Sequence, residues 1–186
     1  MKSLDSRRIT RIDDAWIKEW PSAGPLRALR AWIRGTRARA AWIGAHGLAV
    51  RRLPAPEGIA LLEGRGRALV ISRAHPGKPL DRYCREDVPA LRDRRPFLDA
   101  LAALVRHLHA RGAVHRDLKA NNILADGPTR FVFLDLEDVA FRRVRRADAI
   151  RGLAQLNAAL PVLTRADRWR MLRRYASNWP LLGDPR

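Results

Sequence analysis

Cysteine and long apolar runs are both scarce in this chain of 186 residues. With Cys84 as the sole cysteine, an intramolecular disulfide is excluded, and a reducing compartment is the simpler expectation. No stretch of about 18 apolar residues marks a membrane span. The first eight residues have no apolar segment behind their charges, so we do not expect a signal peptide. These absences favour a cytoplasmic protein of one domain.

Lysine is also rare, because it occupies only four of the 37 basic positions, and the rest are arginine. The formal net charge of +18 has a bland explanation in codon bias and a functional one in an anionic partner. That partner would be a phosphorylated glycolipid, a membrane surface or a nucleic acid. No nucleic-acid-binding motif accompanies the charge, so we expect no specific nucleic acid. Two clusters carry much of it: Arg142, Arg143, Arg145 and Arg146, and then Arg165, Arg168, Arg170, Arg173 and Arg174.

In the first part of the chain, alternation and turn residues predict a small sheet with one helix. The predicted elements are strands at 8–13 and 15–20, a loop from Pro21 to Pro25, a helix at 26–45 that Gly35 could interrupt, and a hairpin of strands 59–63 and 68–72. The segment from His75 to Pro79 breaks the chain.

Helical periodicity dominates after this break. Apolar residues from Phe97 to Leu108 predict a helix that Gly112 closes. Short β segments at 123–124 and 131–134 flank a turn, a helix starts near Asp148, and Thr164 with Asp167 predicts a capping box for another. The order indicates an α+β fold with two lobes, within a single domain over 1–186: an abbreviated N-terminal β lobe at 1–74 and a small helical C-terminal lobe at 75–186.

The segment 115–124 reads His-Arg-Asp-Leu-Lys-Ala-Asn-Asn-Ile-Leu and carries the clearest chemistry. Asp117 can orient an acceptor hydroxyl and take its proton, and Lys119 can neutralise a transferred phosphate. Asn122 and Asp135 supply oxygen ligands for magnesium. Together these residue types predict phosphoryl transfer, with most of the catalysis arising from charge stabilised in the transition state.

This segment resembles the catalytic loop of the protein-kinase-like superfamily, H-R-D-L-K-x-x-N. Asp135 stands where that superfamily has its metal-binding Asp, with Leu136-Glu137 in place of Phe-Gly. The resemblance implies a two-lobed kinase fold that uses ATP and Mg²⁺. It also implies that Lys18, on a strand before a helix, holds the nucleotide phosphates. We assign Arg73 and Ala74 to the nucleotide site with Lys18.

Two departures concern the half of the site that would grip ATP. Residues 26–50 contain no Asp or Glu, so the usual helix partner of Lys18 is missing. Glu63 or a nearby main-chain group is the expected substitute. In addition, no glycine precedes Lys18. Either the phosphates are covered differently, or the chain starts late relative to its relatives.

The compact ending narrows the resemblance, because no Ala-Pro-Glu segment follows Asp135. Residues 155–161 and the arginine-rich 165–175, together with 16–20 and 37–42, resemble the bacterial lipopolysaccharide kinase family. That family phosphorylates Kdo or heptose of the inner core. The resemblance implies a lipopolysaccharide or glycolipid substrate, a cytoplasmic enzyme at the inner face of the inner membrane, and peripheral contact with anionic lipid through the arginine clusters.

Two alternatives stay open from the sequence. One is a kinase of the same fold that acts on a protein or a small molecule. The other is a non-catalytic, pseudokinase-type binding module whose basic face docks on a membrane or a nucleic acid. The missing glycine-rich loop and the missing helix carboxylate favour the binding module.

Overall fold

The computed structural model describes residues 7–21, 35–64, 66–90 and 93–177. Its internal contacts form two compact units. Unit 1 holds the chain up to His75 together with Asp135–Val139, and unit 2 holds Pro76–Leu134 and the chain from Ala140 onward. The short segment after Leu134 therefore belongs with the N-terminal part of the chain. Among the described residues, no helix is both long and apolar enough to cross a membrane.

Unit 1 contains an antiparallel four-stranded sheet. Its strands are β1 (Arg8–Ile12), β2 (Ala15–Pro21), β3 (Gly58–Gly64) and β4 (Arg67–Arg73), in the order β1-β2-β4-β3. The turn between β1 and β2 has a positive φ at Asp13, a conformation that Asp adopts more readily than most residues. The register places Lys18 opposite Ile9 on β1 and opposite Val70 on β4.

Helix α1 (Arg37–Val50) packs on this sheet through a face of small residues. Thr36 caps it, accepting a hydrogen bond from the backbone N–H of Arg39 at 3.0 Å. The buried positions repeat at helical spacing; they are Ala38, Ala41, Gly44, Ala45 and Leu48. A Cβ added to Gly44 would lie 2.2 Å from the Leu136 carbonyl oxygen. The 3₁₀ turn Leu136–Asp138 thus lies directly against this helix.

Unit 2 is mainly helical and carries short strands. Its elements are β5 (Lys78–Pro79), α2 (Leu80–Glu86), a 3₁₀ turn (Val88–Ala90), α3 (Arg95–Ala110), β6 (Ala113–His115), a 3₁₀ turn (Ala120–Asn122), β7 (Ile123–Ala125), β8 (Phe131–Phe133), α4 (Arg146–Ala158) and α5 (Arg165–Ala176). Strands β5, β7 and β8 form one sheet, and β6 pairs with β9 (Val139–Phe141). The core lies around α3, whose apolar stripe is buried from Phe97 to Leu108.

Most of the predicted elements are present. The strands in both halves, the helix that Gly112 closes at a φ of +69°, and the Thr164 capping box are confirmed. The helix predicted at 26–45 is wrong at its C-terminal end, because α1 continues to Val50. Its predicted start, like most of the predicted loop 21–25, lies outside the described residues. Pro21 itself ends β2 instead of opening a loop.

Candidate active site

A buried histidine, His115, holds the loop 115–122 through hydrogen bonds. The His115 side chain is almost fully buried, and its Nδ1 accepts the backbone N–H of Asp117 at 3.3 Å. Because that nitrogen accepts, the proton lies on Nε2, which donates to the carbonyl of Leu134 at 2.7 Å. The imidazole therefore ties the loop to the segment that follows β8.

Three predicted site residues lie together in this loop. The ammonium of Lys119 lies 2.8 Å from Asp117 Oδ1. The side-chain nitrogen of Asn122 donates to the Asp117 carbonyl at 2.8 Å and to its Oδ2 at 3.1 Å. Both carboxylate oxygens of Asp117 are thereby oriented, and the side chain stays one-third exposed to solvent. Since the amide nitrogen donates to Asp117, the amide oxygen is the atom that the predicted metal role of Asn122 requires, and that role stays a prediction.

Sequence reasoning missed a second support of this loop. Gln155, on α4, accepts the backbone N–H of Leu118 at 3.0 Å and donates to the Arg116 carbonyl at 3.2 Å. One amide thus satisfies a donor and an acceptor on either side of Asp117. Gly152, on the same helix, leaves room for Leu118, since a Cβ there would lie 3.2 Å from its side chain. Nothing in the spacing of a lone Gln indicates this role.

Asp135 follows Leu134, whose backbone N–H donates to the Asn122 carbonyl at 2.8 Å. Asp135 itself has a left-handed backbone, with φ +51° and ψ +52°. That conformation is uncommon outside glycine, although Asp and Asn tolerate it. It turns the chain sharply from β8 into the 136–138 turn.

The predicted nucleotide residue Lys18 lies beside Asp135. Its ammonium donates to Asp135 Oδ1 at 2.8 Å and lies 5.2 Å from the centre of the Trp20 ring. Arg7 donates to the other carboxylate oxygen at 3.2 Å. Burial opposes ionisation of Asp135, but the hydrogen bond and charge of Lys18, aided by Arg7, outweigh it and lower its pKa.

Of the two partners expected for Lys18, Glu63 was wrong. Glu63 lies instead beside the start of α1, where it accepts from Thr36 at 2.5 Å and pairs with Arg39. The Thr36 hydrogen bond is the main cause of its lowered pKa. The carboxylate that does meet Lys18 is Glu137, with its oxygens 2.8 Å from the ammonium. Sequence reasoning noted Glu137 only as a replacement for glycine.

The remaining predicted nucleotide contacts lie where β4 ends. The Arg73 guanidinium pairs with Asp14 and with Glu57, each at 2.8 Å. The backbone N–H of Ala74 donates to the Asp14 carbonyl. These bonds join three segments of unit 1, and the assignment of Arg73 and Ala74 to nucleotide binding stays a prediction.

The two ligands predicted from the sequence are of types that suit magnesium better than a transition metal. No group of three or more His, Cys, Asp or Glu side chains in the described part of the chain could hold a metal ion. Magnesium, however, keeps several waters and takes only one or two carboxylates besides substrate phosphates. A carboxylate at Asp135 and an amide oxygen at Asn122 are ligands of this kind.

Comparison with protein families decides the wider classification. A model of the lipopolysaccharide kinase (Kdo/WaaP) family matches residues 29–175. The chain belongs to this family. The matched region includes the loop 115–122, Asp135 and Glu137, and it confirms the resemblance that the sequence motifs carry.

Solved structures of WbdD show the same fold. The chain is similar to WbdD in a co-crystal with a kinase inhibitor, at 17% identity and a TM-score of 0.63, over 94% of this chain and 43% of that one. For monomeric WbdD the identity is 18% and the TM-score 0.62, over 88% and 39%. The bifunctional kinase-methyltransferase WbdD matches at 13% identity and 0.54, over 91% and 47%. Our chain thus spans less than half of each solved chain, and the kinase-like α+β fold is confirmed.

Proposed function

We propose that the chain is an ATP- and magnesium-dependent kinase that phosphorylates a sugar hydroxyl of the lipopolysaccharide inner core. The observation that carries this proposal is the oriented carboxylate of Asp117, held between Lys119 and Asn122. Family membership supports both the reaction class and the lipopolysaccharide context.

Asp117 is the residue that would accept the acceptor proton. As the acceptor oxygen bonds to the γ-phosphorus, its proton moves to Asp117, the bond from the γ-phosphorus to the bridging oxygen breaks, and ADP leaves. Lys119, at 2.8 Å from Asp117, lies where its charge can neutralise the transferred phosphate. Because the carboxylate is already fixed in position, aligning the hydroxyl with it has a lower entropic cost.

Magnesium would be held by Asn122 and Asp135 in this proposal. Bound there, it would neutralise charge on the nucleotide phosphates. Lys18 would bind phosphate oxygens beside Asp135, with Arg73 and Ala74 as further nucleotide contacts. Arg7, which already reaches the Asp135 carboxylate, supplies a second cation beside it.

Exposed arginines on the surface of unit 2 are the residues that we propose contact the membrane that carries the acceptor. Arg143, Arg145, Arg173 and Arg174 are exposed, whereas Arg170 is tied to Asp99 at 2.8 Å. Each exposed arginine near an anionic membrane contributes about 1 kcal/mol of attraction. We propose peripheral contact at the cytoplasmic face of the inner membrane, where a growing glycolipid is available.

Phosphate transfer from labelled ATP to extracted core glycolipid tests the function. We expect Asp117→Asn to reduce single-turnover transfer by at least about 100-fold, because a general base contributes 10²–10⁴-fold. Asp126→Asn is the matched control, since Asp126 pairs only locally with Arg130 on the surface of the same hairpin; its transfer rate should be unchanged. Equal transfer by wild type and Asp117→Asn would contradict the role of Asp117. Transfer to a protein or a small molecule, and not to the glycolipid, would contradict the proposed acceptor.

One observation favours the non-catalytic binding module. Lys18 is bonded directly to both Asp135 and Glu137, so carboxylates of the protein itself already compensate its charge. A thermal-shift titration with ATP and magnesium separates the two functions, because a ligand that binds only the native state raises its melting temperature. A shift that Asp135→Asn abolishes supports the kinase, and no shift at millimolar nucleotide supports the module.

A further inference from the structure

The carboxylate of Glu137 is nearly inaccessible to solvent. Its side chain is 2% exposed, against 24% for Asp135. Besides Lys18 at 2.8 Å, Arg7 lies 3.5 Å away and Arg37 3.7 Å away. A buried carboxylate is strongly destabilising unless cations surround it. Glu137 and these cations therefore depend on each other for their positions.

The packing of α1 explains why the carboxylate comes from this turn. The helix has no acidic residue, and its buried face is made of small side chains. Gly44 lets the Leu136 carbonyl come so close that a Cβ would collide with it. The 136–138 turn occupies that space and brings Glu137 to the Lys18 ammonium.

The two carboxylates beside Lys18 differ in what else they can do. Asp135 is the more exposed and is the proposed magnesium ligand, so part of its charge would be shared with a metal. Glu137 is buried against the cations, and the proposed function assigns it no metal. It can keep Lys18 in place whether or not Asp135 is engaged.

We propose that Glu137 is the positioning residue for Lys18, replacing the acidic residue that α1 lacks. The inference rests on the proposed phosphotransfer, in which Lys18 binds nucleotide phosphates. Glu137 acts through Lys18 and touches neither the nucleotide nor the acceptor.

A double-mutant cycle tests this coupling. We expect Glu137→Gln to lower kcat/KM for ATP by about 10- to 100-fold, the effect of a misplaced catalytic group, and Glu137→Asp to restore part of it. Lys18→Met should be as impaired as Lys18→Met with Glu137→Gln, because a residue that acts only through Lys18 adds nothing once Lys18 is gone. Glu63→Gln is the matched control, with an unchanged kcat/KM.

Acylation of lysines supplies a readout that needs no activity. An amine held between two carboxylates reacts slowly with an amine-reactive ester, so Glu137→Gln should raise the labelling rate of Lys18 several-fold. Lys78, which is paired with Glu86 and Asp87 in unit 2, is the internal reference and should not change. Peptide mass spectrometry measures both rates in one sample, and Glu137→Asp replaces Glu137→Gln if the latter does not fold.

The outcomes separate this inference from the proposed function. Additive losses in the double mutant, or unchanged labelling of Lys18, would overturn the positioning role even in an active kinase. If wild type neither binds ATP nor transfers phosphate, the proposed function fails. The labelling result then decides on its own whether Glu137 holds Lys18.

Discussion

Asp135 combines a charge that pairs with Lys18 and Arg7 with a backbone conformation that few residues adopt. Its left-handed conformation is about 1–2 kcal/mol unfavourable for ordinary residues and less so for Asp and Asn. Its carboxylate meanwhile satisfies Lys18 and Arg7. The residue type is therefore constrained twice, once by chemistry and once by the backbone.

Substitutions at this position should separate the two constraints. We expect Asp135→Asn and Asp135→Ala both to lose magnesium-dependent nucleotide affinity, because each removes the carboxylate. Only Asp135→Ala should be destabilised further, by about 1 kcal/mol relative to Asp135→Asn, since alanine does not tolerate the left-handed backbone. Urea unfolding and nucleotide titration measure the two effects, and nucleotide affinity that persists in both variants would remove the metal assignment.

Among the elements, α4 has a role beyond packing. Through Gln155 it holds the backbone on both sides of Asp117, and its N-terminus is secured by Asp148. That carboxylate accepts both guanidinium nitrogens of Arg142, at 2.7 and 2.8 Å, and the backbone N–H of Arg145. The Arg142 hydrogen bonds, followed by the Arg145 backbone, hold the pKa of Asp148 well below its usual range. A fixed helix thus provides a fixed support for the loop.

Gln155→Leu should therefore lower kcat more than it raises KM for ATP. Loss of the amide removes the hydrogen bonds to the Leu118 N–H and the Arg116 carbonyl. A displacement of the loop by about 1 Å can lower the reaction rate about 100-fold. Asn157→Leu is the control on the same helix, because Asn157 serves Arg168 instead of the loop. It should lose stability with little change in kcat; equal kcat values for the two variants would contradict the support by Gln155.

Over the whole molecule, the charged side chains lie mainly at the surface, and the core is mainly apolar. The net charge of +18 repels itself in the folded state but favours anionic surfaces. The core of unit 2 is almost free of charge, and His109 is buried there with its Nδ1 2.8 Å from the Tyr175 hydroxyl. Burial lowers the pKa of His109 to about 4, although Asp148 opposes the shift.

Because of this histidine, the free energy of unfolding depends on pH in the mildly acidic range. The unfolded chain takes up a proton at His109 near pH 6.5, whereas the folded chain resists until about pH 4. The contribution of His109 to the free energy of unfolding is therefore fully present above about pH 6.5. It falls by roughly 3 kcal/mol in all as the pH drops towards 4. We expect the difference in unfolding free energy between wild type and His109→Gln to shrink over that interval. A constant difference from pH 7 to pH 4 would contradict the assignment.

Local patterns were enough to predict much of the fold. Alternation on β1 and β2, the apolar stripe of α3, and the cap at Thr164 depend on neighbours within a few residues, so their elements follow from the sequence. The end of α1 did not, because its small residues after Ala45 carry no clear period and take their meaning from the turn that packs on them. The proximity of Asp117, Lys119 and Asn122 was predictable, since the three residues lie within six positions; their roles stay predictions.

By itself, the sequence determined the family, through the loop that holds Asp117, Lys119 and Asn122 and through residues 155–175. The proposed reaction class rests on the same loop. Only the tertiary structure decided which carboxylate serves Lys18. The sequence pointed to Glu63, 45 positions away, or to a main-chain group, but the structure supplies Glu137, at a separation of 119. Contacts of that range are set by how closely α1, the sheet and the 136–138 turn pack, and a missing side chain at Gly44 controls that distance.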